Sequence, residues 1–238
     1  IANQNAEKEK TEKIRREFTA NVSHELKTPL TTISGYAQMI SNGMAKTEDV
    51  KEFGRKIEKE SDRLLTLIDD IINLSNLDEQ RSIENPENID LSLVTEEAIC
   101  VLEKAAKERG IQIYYTKIPT FIKGNVTLVS ELVYNLLDNA IKYNKDNGKI
   151  TVFVGESAKG VELSVKDTGI GIPPEDTERI FERFYRVDKS HSKKVGGTGL
   201  GLSIVKHVCA CHNATIRVKS KVGKGTTIYV TFPNNVNN

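Results

Sequence analysis

The sequence predicts an α+β protein of two domains: a helical hairpin that pairs into a dimeric four-helix bundle, then an α/β sandwich with about three helices on one face of a mixed sheet. Three observations predict it. A seven-residue apolar repeat runs through residues 50–74, a polar stretch near residues 81–90 interrupts it, and beyond that stretch strand and helix patterns alternate.

The chain opens with the polar, charge-alternating run Glu7 to Lys13, followed by a helical stripe through Ile14, Phe18, Val22, Leu26, Leu30, Ile33, Ala37 and Ile40. One long helix is expected. Pro29 falls inside it and withdraws the amide that would bond the Glu25 carbonyl, so a bend or a locally opened turn is expected beside His24. Ser41-Asn42-Gly43 stops this helix, and Thr47-Glu48-Asp49-Val50 caps a second. In the second helix Val50, Ile57, Leu64 and Ile71 recur every seventh residue, with Phe53, Leu67 and Leu74 complementing them and Glu60 the polar exception. Two helices cannot enclose such stripes alone, whereas pairing with a second copy does, so a homodimer is expected. The domains expected are 1–80, a linker 81–90, and 91–238.

After the linker, residues 92–109 form a helix closed by Gly110, and residues 111–116 and 120–123 form short strands. A helix at 127–143, strands at 149–154 and 161–165, a helix at 198–212 and a closing hairpin of 215–220 with 226–231 complete the sandwich.

Composition excludes several classes. Among 238 residues Lys+Arg number 34 and Asp+Glu 33, so net charge points to no nucleic acid partner. Three cysteines, Cys100, Cys209 and Cys211, are an odd set without framework spacing, which fits a cytoplasmic compartment. No apolar run approaches the ~18 residues that span a bilayer, and a chain beginning at Ile1 reads as a fragment.

Two constellations carry chemistry. In Phe18-Thr19-Ala20-Asn21-Val22-Ser23-His24-Glu25-Leu26-Lys27-Thr28-Pro29-Leu30, His24 and Thr28 lie one turn apart on one helical face with Glu25 a step round. The second is glycine-rich. Six of 16 glycines fall in Asp167-Thr168-Gly169-Ile170-Gly171 and Gly196-Gly197-Thr198-Gly199-Leu200-Gly201, the latter running into a helix whose amino end favours an anion. A polyphosphate is the expected ligand, although neither a dinucleotide fingerprint nor a Walker lysine loop is present. Asn135, Asn139 and Lys142 share one face of the 127–143 helix, two amide oxygens suited to Mg2+ and an ammonium suited to phosphate. His207, Cys209, Cys211 and His212 mimic a metal cluster, but on a helix these side chains fan out, and core cysteines are the better reading.

The string His24-Glu25-Leu26-Lys27-Thr28-Pro29-Leu30 resembles the phosphoacceptor box of sensor histidine kinases. The asparagine helix, Asp167-x-Gly-x-Gly, Ile180-Phe181-Glu182-Arg183-Phe184-Tyr185-Arg186, Gly197-Thr198-Gly199-Leu200-Gly201-Leu202 and Gly223-Lys224-Gly225-Thr226 resemble, in order, the boxes of the ATPase superfamily shared by gyrase, heat-shock chaperones and histidine kinases. The resemblance implies ATP and Mg2+, with Asn139 as metal ligand, Asn135 nearby, and Lys142 and Tyr143 touching phosphate and nucleoside. It implies Asp167 as acceptor of the adenine amino group, Gly169, Gly171, Gly197, Thr198, Gly199, Leu200, Gly201 and Thr226 as further cofactor contacts, residues 172–196 as a lid, and Arg186 as its contact to the terminal phosphate. Where hydrolysing relatives carry a water-activating glutamate, this chain has Asn135. The implied activity is autophosphorylation of His24, with Glu25 orienting the ring and taking its proton, then transfer to an aspartate of a response regulator. Thr28 matches the residue that positions water for the reverse, phosphatase reaction. A membrane-anchored parent is also implied. The rivals are an ATP-hydrolysing clamp or chaperone and a non-catalytic dimeric scaffold.

Overall fold

The computed structural model describes residues 2–79, 83, 85–187 and 197–234, without the side chains of 2–11, 13–15 and 76–79. Residues 188–196 of the expected lid, with His191 and Gly196, and most of the stretch 80–84 lie outside the described residues. The chain divides into two compact units, Ile1–Ile72 and Asn73–Asn238.

Two helices make the first unit, α1 (Ala2–Ser41) and the start of α2 (Thr47–Glu79). Gly43, with φ of 66°, takes the left-handed conformation that ends a helix, and the amides of Met44 and Ala45 both return to the Met39 carbonyl. Of the bend or opened turn expected at Pro29, the opened turn is absent, since α1 runs as one helix through it. The hydroxyls of Thr28, Thr31 and Thr32 donate to the carbonyls of His24, Lys27 and Thr28 at 3.2, 2.8 and 3.2 Å, back-bonds of the kind that accompany bent helices. Near the hairpin turn the rings of Tyr36 and Phe53 meet, centroids 4.9 Å apart. Leu67 is buried, whereas Leu65, Ile68 and Ile72 of α2 are 60%, 37% and 52% exposed, an apolar face uncovered in the single chain.

In the second unit a five-stranded sheet has the order β2-β4-β5-β7-β6. It comprises β2 (Gln112–Tyr115), β4 (Lys149–Ser157), β5 (Gly160–Asp167), β6 (Thr215–Lys221) and β7 (Gly225–Phe232). Only β2 and β4 pair parallel, so the sheet is mixed. One face of it, built from Ile150, Val152, Val154, Leu163, Val165, Ile228, Val230 and Phe232, is buried, and alternate residues face outward. The helices α3 (Leu91–Glu108), α4 (Val126–Lys142) and α5 (Gly201–Cys211) cover it, with buried stripes that include Leu132, Val133, Leu136, Ile204 and Val208.

Two boundaries differ from the sequence reading. Glu87–Asp90, expected to be linker, form β1 and pair antiparallel with β3 (Phe121–Gly124). Four residues are too short to show alternation, and their partner lies more than 30 positions away. The last helix begins at Gly201 rather than Thr198, because Gly199 at φ of 77° keeps the preceding run out of helical conformation.

His212 closes the core between α4 and the sheet. It is 6% exposed; its Nδ1 donates to the Val208 carbonyl (2.8 Å) and its Nε2 accepts the Asn125 amide (3.2 Å). Asn125 also caps α4 through its side chain. Burial holds the His212 pKa below the usual histidine value, opposed by the Val208 carbonyl. The unfolded chain takes up this proton near pH ~6.5, so the stability contributed by the neutral ring is complete above that pH. It is lost as pH falls through ~6.5 toward the lower folded value, with a slope of at most about 1.4 kcal/mol per pH unit. Urea unfolding of wild type and His212→Gln from pH 7.5 to 5 should show a steeper acid loss in wild type; parallel slopes would remove His212 as the cause.

Candidate active site

His24 is exposed on α1 and Glu25, the next residue, is half-buried. Arg63 reaches across from α2, its guanidinium 3.7 Å from Glu25 and 3.7 Å from Glu60. One cation shared by two carboxylates restrains Glu25 beside His24 without a tight hydrogen bond to it. Sequence reasoning missed Arg63: its spacing from Glu60 is legible, but the pairing with Glu25 depends on the hairpin register. Thr28 is exposed and its hydroxyl is bonded back to the His24 carbonyl.

In the second unit α4 supplies one wall. The Asn135 amide donates to the Glu131 carbonyl (2.9 Å) and the Asn139 amide to the Asn135 carbonyl (2.8 Å). Each side chain commits its NH2 group to the helix and keeps its oxygen as an acceptor. Lys142 does not stand alone beside them, since its Nζ pairs with Asp138 at 2.7 Å. Opposite lies the start of α5, where a Cβ on Gly201 would come within 2.6 Å of the Asn135 oxygen, so a side chain there would push the Asn135 amide aside. No side chain caps α5, which leaves its first-turn amides and dipole directed at the asparagine pair.

The loop after β5 supplies the floor. Asp167 Oδ1 accepts the amides of Gly169 (2.7 Å) and Thr226 (3.2 Å), and burial pushes its carboxyl pKa up against these two bonds. Gly171, at φ of 71°, sits where a Cβ would collide with the Lys221 carbonyl, so the loop is locked to the β6–β7 turn. The buried Asn144 bonds the hydroxyl of Thr168 and the Lys149 carbonyl, and Arg109 donates to the carbonyls of Ile141, Lys142 (2.9 Å) and Asn144 (2.6 Å). Arg109 and Asn144 thus tie the end of α4 to the Asp167 loop. Neither carries a motif that sequence reasoning could have found.

The third wall brings Tyr143, Arg186 and Gly197 together. A side chain at Gly197 would lie 3.2 Å from the Tyr143 hydroxyl and 3.9 Å from the Arg186 guanidinium. Gly199 accepts the Phe184 amide (2.9 Å), Thr198 Oγ1 accepts the Leu200 amide (3.3 Å), and Leu200 is fully buried beneath. The second unit therefore gathers the start of a helix without a side-chain cap, two amide oxygens, a largely buried carboxylate and an arginine, chemical types suited to a phosphorylated ligand. Among the described residues Cys209 and His212 belong to no group placed to hold a metal ion: the Cys209 side chain is buried in the core and both ring nitrogens of His212 are engaged.

Two family models match the chain: the His Kinase A (phospho-acceptor) domain over residues 14–80, and the histidine kinase-, DNA gyrase B- and HSP90-like ATPase over residues 124–236. The chain belongs to the sensor histidine kinase family. Sensor-like histidine kinase SenX3 of Mycobacterium tuberculosis H37Rv is 39% identical over 224 residues, covering 93% of this chain and 54% of SenX3. The chain thus spans about half the length of that relative. Among solved structures, the mycobacterial sensor histidine kinase MprB is 32% identical with a TM-score of 0.54, covering 62% of this chain and 97% of MprB. Histidine kinase ThkA, solved in complex with response regulator protein TrrA, is 25% identical with a TM-score of 0.74, covering 96% of this chain and 66% of ThkA. In the family frame the acceptor model contains His24, and the ATPase model contains Asn135, Asn139, Asp167 and Thr226.

Proposed function

We propose that this chain is the cytoplasmic catalytic portion of a membrane-anchored sensor histidine kinase, which phosphorylates His24 from ATP and passes the phosphoryl group to an aspartate of a response regulator. Residues 1–80 serve as the dimerisation and acceptor hairpin, 81–86 as linker, and the catalytic domain runs from β1 at Glu87 to 238. The observation that carries this reading is the division of labour: an exposed His24 with Glu25 beside it on one unit, and a nucleotide site with Asn135 in place of a hydrolytic glutamate on the other.

In the proposed step a neutral ring nitrogen of His24 bonds the terminal phosphorus of ATP as the bond to ADP breaks, and Glu25 takes the ring proton. The oxygens of Asn139 and Asn135 would hold Mg2+, which when bound offsets charge on the transferring group. Lys142, steadied by Asp138, and Arg186 add positive charge near the phosphates. Asp167 reads the base and the α5 amides bind phosphate. Thr28 would place water for dephosphorylating the regulator. Leu65, Ile68 and Ile72 leave an apolar face that a second copy would cover, which supports a homodimer. A response-regulator receiver domain is the proposed partner, in line with ThkA, which was solved with one.

The test is incubation with Mg2+ and γ-labelled ATP. Acid-labile, alkali-stable label on the protein is expected, whereas phosphate release without label would favour an ATP-hydrolysing clamp. A further variant probes the acceptor side. Because Arg63 restrains Glu25, Arg63→Ala should slow labelling roughly tenfold to a hundredfold with nucleotide affinity unchanged; an unchanged rate would leave Arg63 with a purely structural part.

A further inference from the structure

We infer that Ser220 is a positioning residue that sets the direction of the Thr226 hydroxyl and so makes the base pocket select an amino group over a carbonyl; this rests on the nucleotide-site reading above.

The three residues form one row across the sheet. Ser220 pairs with Thr226 in the β6–β7 register, and Lys166 pairs with Thr227, which sets Asp167 beside Thr226 on the adjoining strand. All three share the parity of the half-buried Val218 and the buried Ile228 and Val165, so they lie on the helix-covered face, with Ile150 opposite Asp167 as an apolar floor.

Ser220 Oγ has three polar neighbours: the Ile172 amide at 2.8 Å, the Gly225 carbonyl at 3.1 Å and the Thr226 hydroxyl at 2.8 Å. A hydroxyl has one proton and two lone pairs. An amide only donates and a carbonyl only accepts, so one arrangement satisfies all three contacts. Ser220 gives its proton to Gly225 and accepts from Ile172 and from Thr226. The Thr226 proton is thereby committed, and Thr226 Oγ1 offers only lone pairs to anything else. Beside it, Asp167 Oδ1 accepts the Gly169 and Thr226 amides, and the carboxylate keeps further lone pairs on Oδ2.

Two acceptors side by side complement an NH2 group. A carbonyl oxygen in the same place would meet lone pairs alone and be left unbonded. Removing the Ser220 hydroxyl frees Thr226 to turn its proton toward such a carbonyl, so Ser220 acts on specificity without touching the base.

The experiment measures Kd for ATP and for inosine triphosphate, which carries a 6-oxo group and an N1 proton, by competition against a fluorescent ATP analogue on the full chain with Mg2+. Wild type should prefer ATP. Ser220→Ala should lower the ATP-over-ITP preference about tenfold, Thr226→Val should lower it as well, and Thr226→Ser, which retains the hydroxyl, should keep it. Should Ser220→Ala not fold, the Thr226 pair reads the same quantity. A preference unchanged in Ser220→Ala, or both nucleotides weakened in parallel, would overturn the inference and leave Ser220 a strut between the loop and the turn. Wild type binding neither nucleotide would overturn the nucleotide-site reading itself, a result distinct from either.

Discussion

His24→Gln should carry no acid-labile label after incubation with Mg2+ and γ-labelled ATP, at least a thousandfold below wild type. Glutamine keeps the length and polarity of the side chain but has no lone pair on its nitrogen able to bond phosphorus. His24 is exposed on α1, so the exchange costs the helix little: its side chain supports no packing, and the Thr28 hydroxyl bonds its backbone carbonyl, which glutamine retains. Nucleotide affinity should be unchanged, because every proposed nucleotide contact lies in the second unit. Label on His24→Gln equal to wild type would end the kinase reading. His207 and His212 offer no substitute acceptor, since His207 is largely covered on α5 and His212 is buried with both nitrogens engaged.

Asn139→Asp should weaken ATP binding by about a hundredfold, or about 2.7 kcal/mol. The substitution does two things at once. It removes the NH2 group that donates to the Asn135 carbonyl, which sets two oxygens against each other inside α4, and it adds a negative charge where the α5 amides and Gly201 approach. The measurement is isothermal titration with a non-hydrolysable ATP analogue and Mg2+, with melting temperature as a control for folding. Unchanged affinity would remove α4 from the metal site.

Much of the proposed site is legible in the sequence, because phosphate chemistry makes rigid demands on residue type. Gly169, Gly171 and Gly199 occupy positions where a backbone turn or a close approach to backbone excludes a side chain, and such clustering is what the sequence expectation of an anion site rests on. The asparagine pair was visible through helical spacing. Lys142 shares that face, but its ion pair with Asp138 is not legible there, since an i, i+4 ion pair and a ligand contact look the same in a string of letters. Pro29 lies inside a continuous helix: its missing amide removes one hydrogen bond and leaves α1 unbroken.

By itself, the sequence determined the periodic helices, the sheet strands with enough length to alternate, and the chemical types at the site, since each of these depends on residues close in the chain. Only the tertiary structure decided which distant residues meet: β1 with β3, Arg63 with Glu25, Arg109 with the end of α4, His212 with the Asn125 cap, and Ser220 with Thr226 and Ile172. Those pairings follow from strand order, register and hairpin closure, and no local pattern encodes them, because a single hydroxyl or guanidinium acquires its partner from the packing of the whole unit.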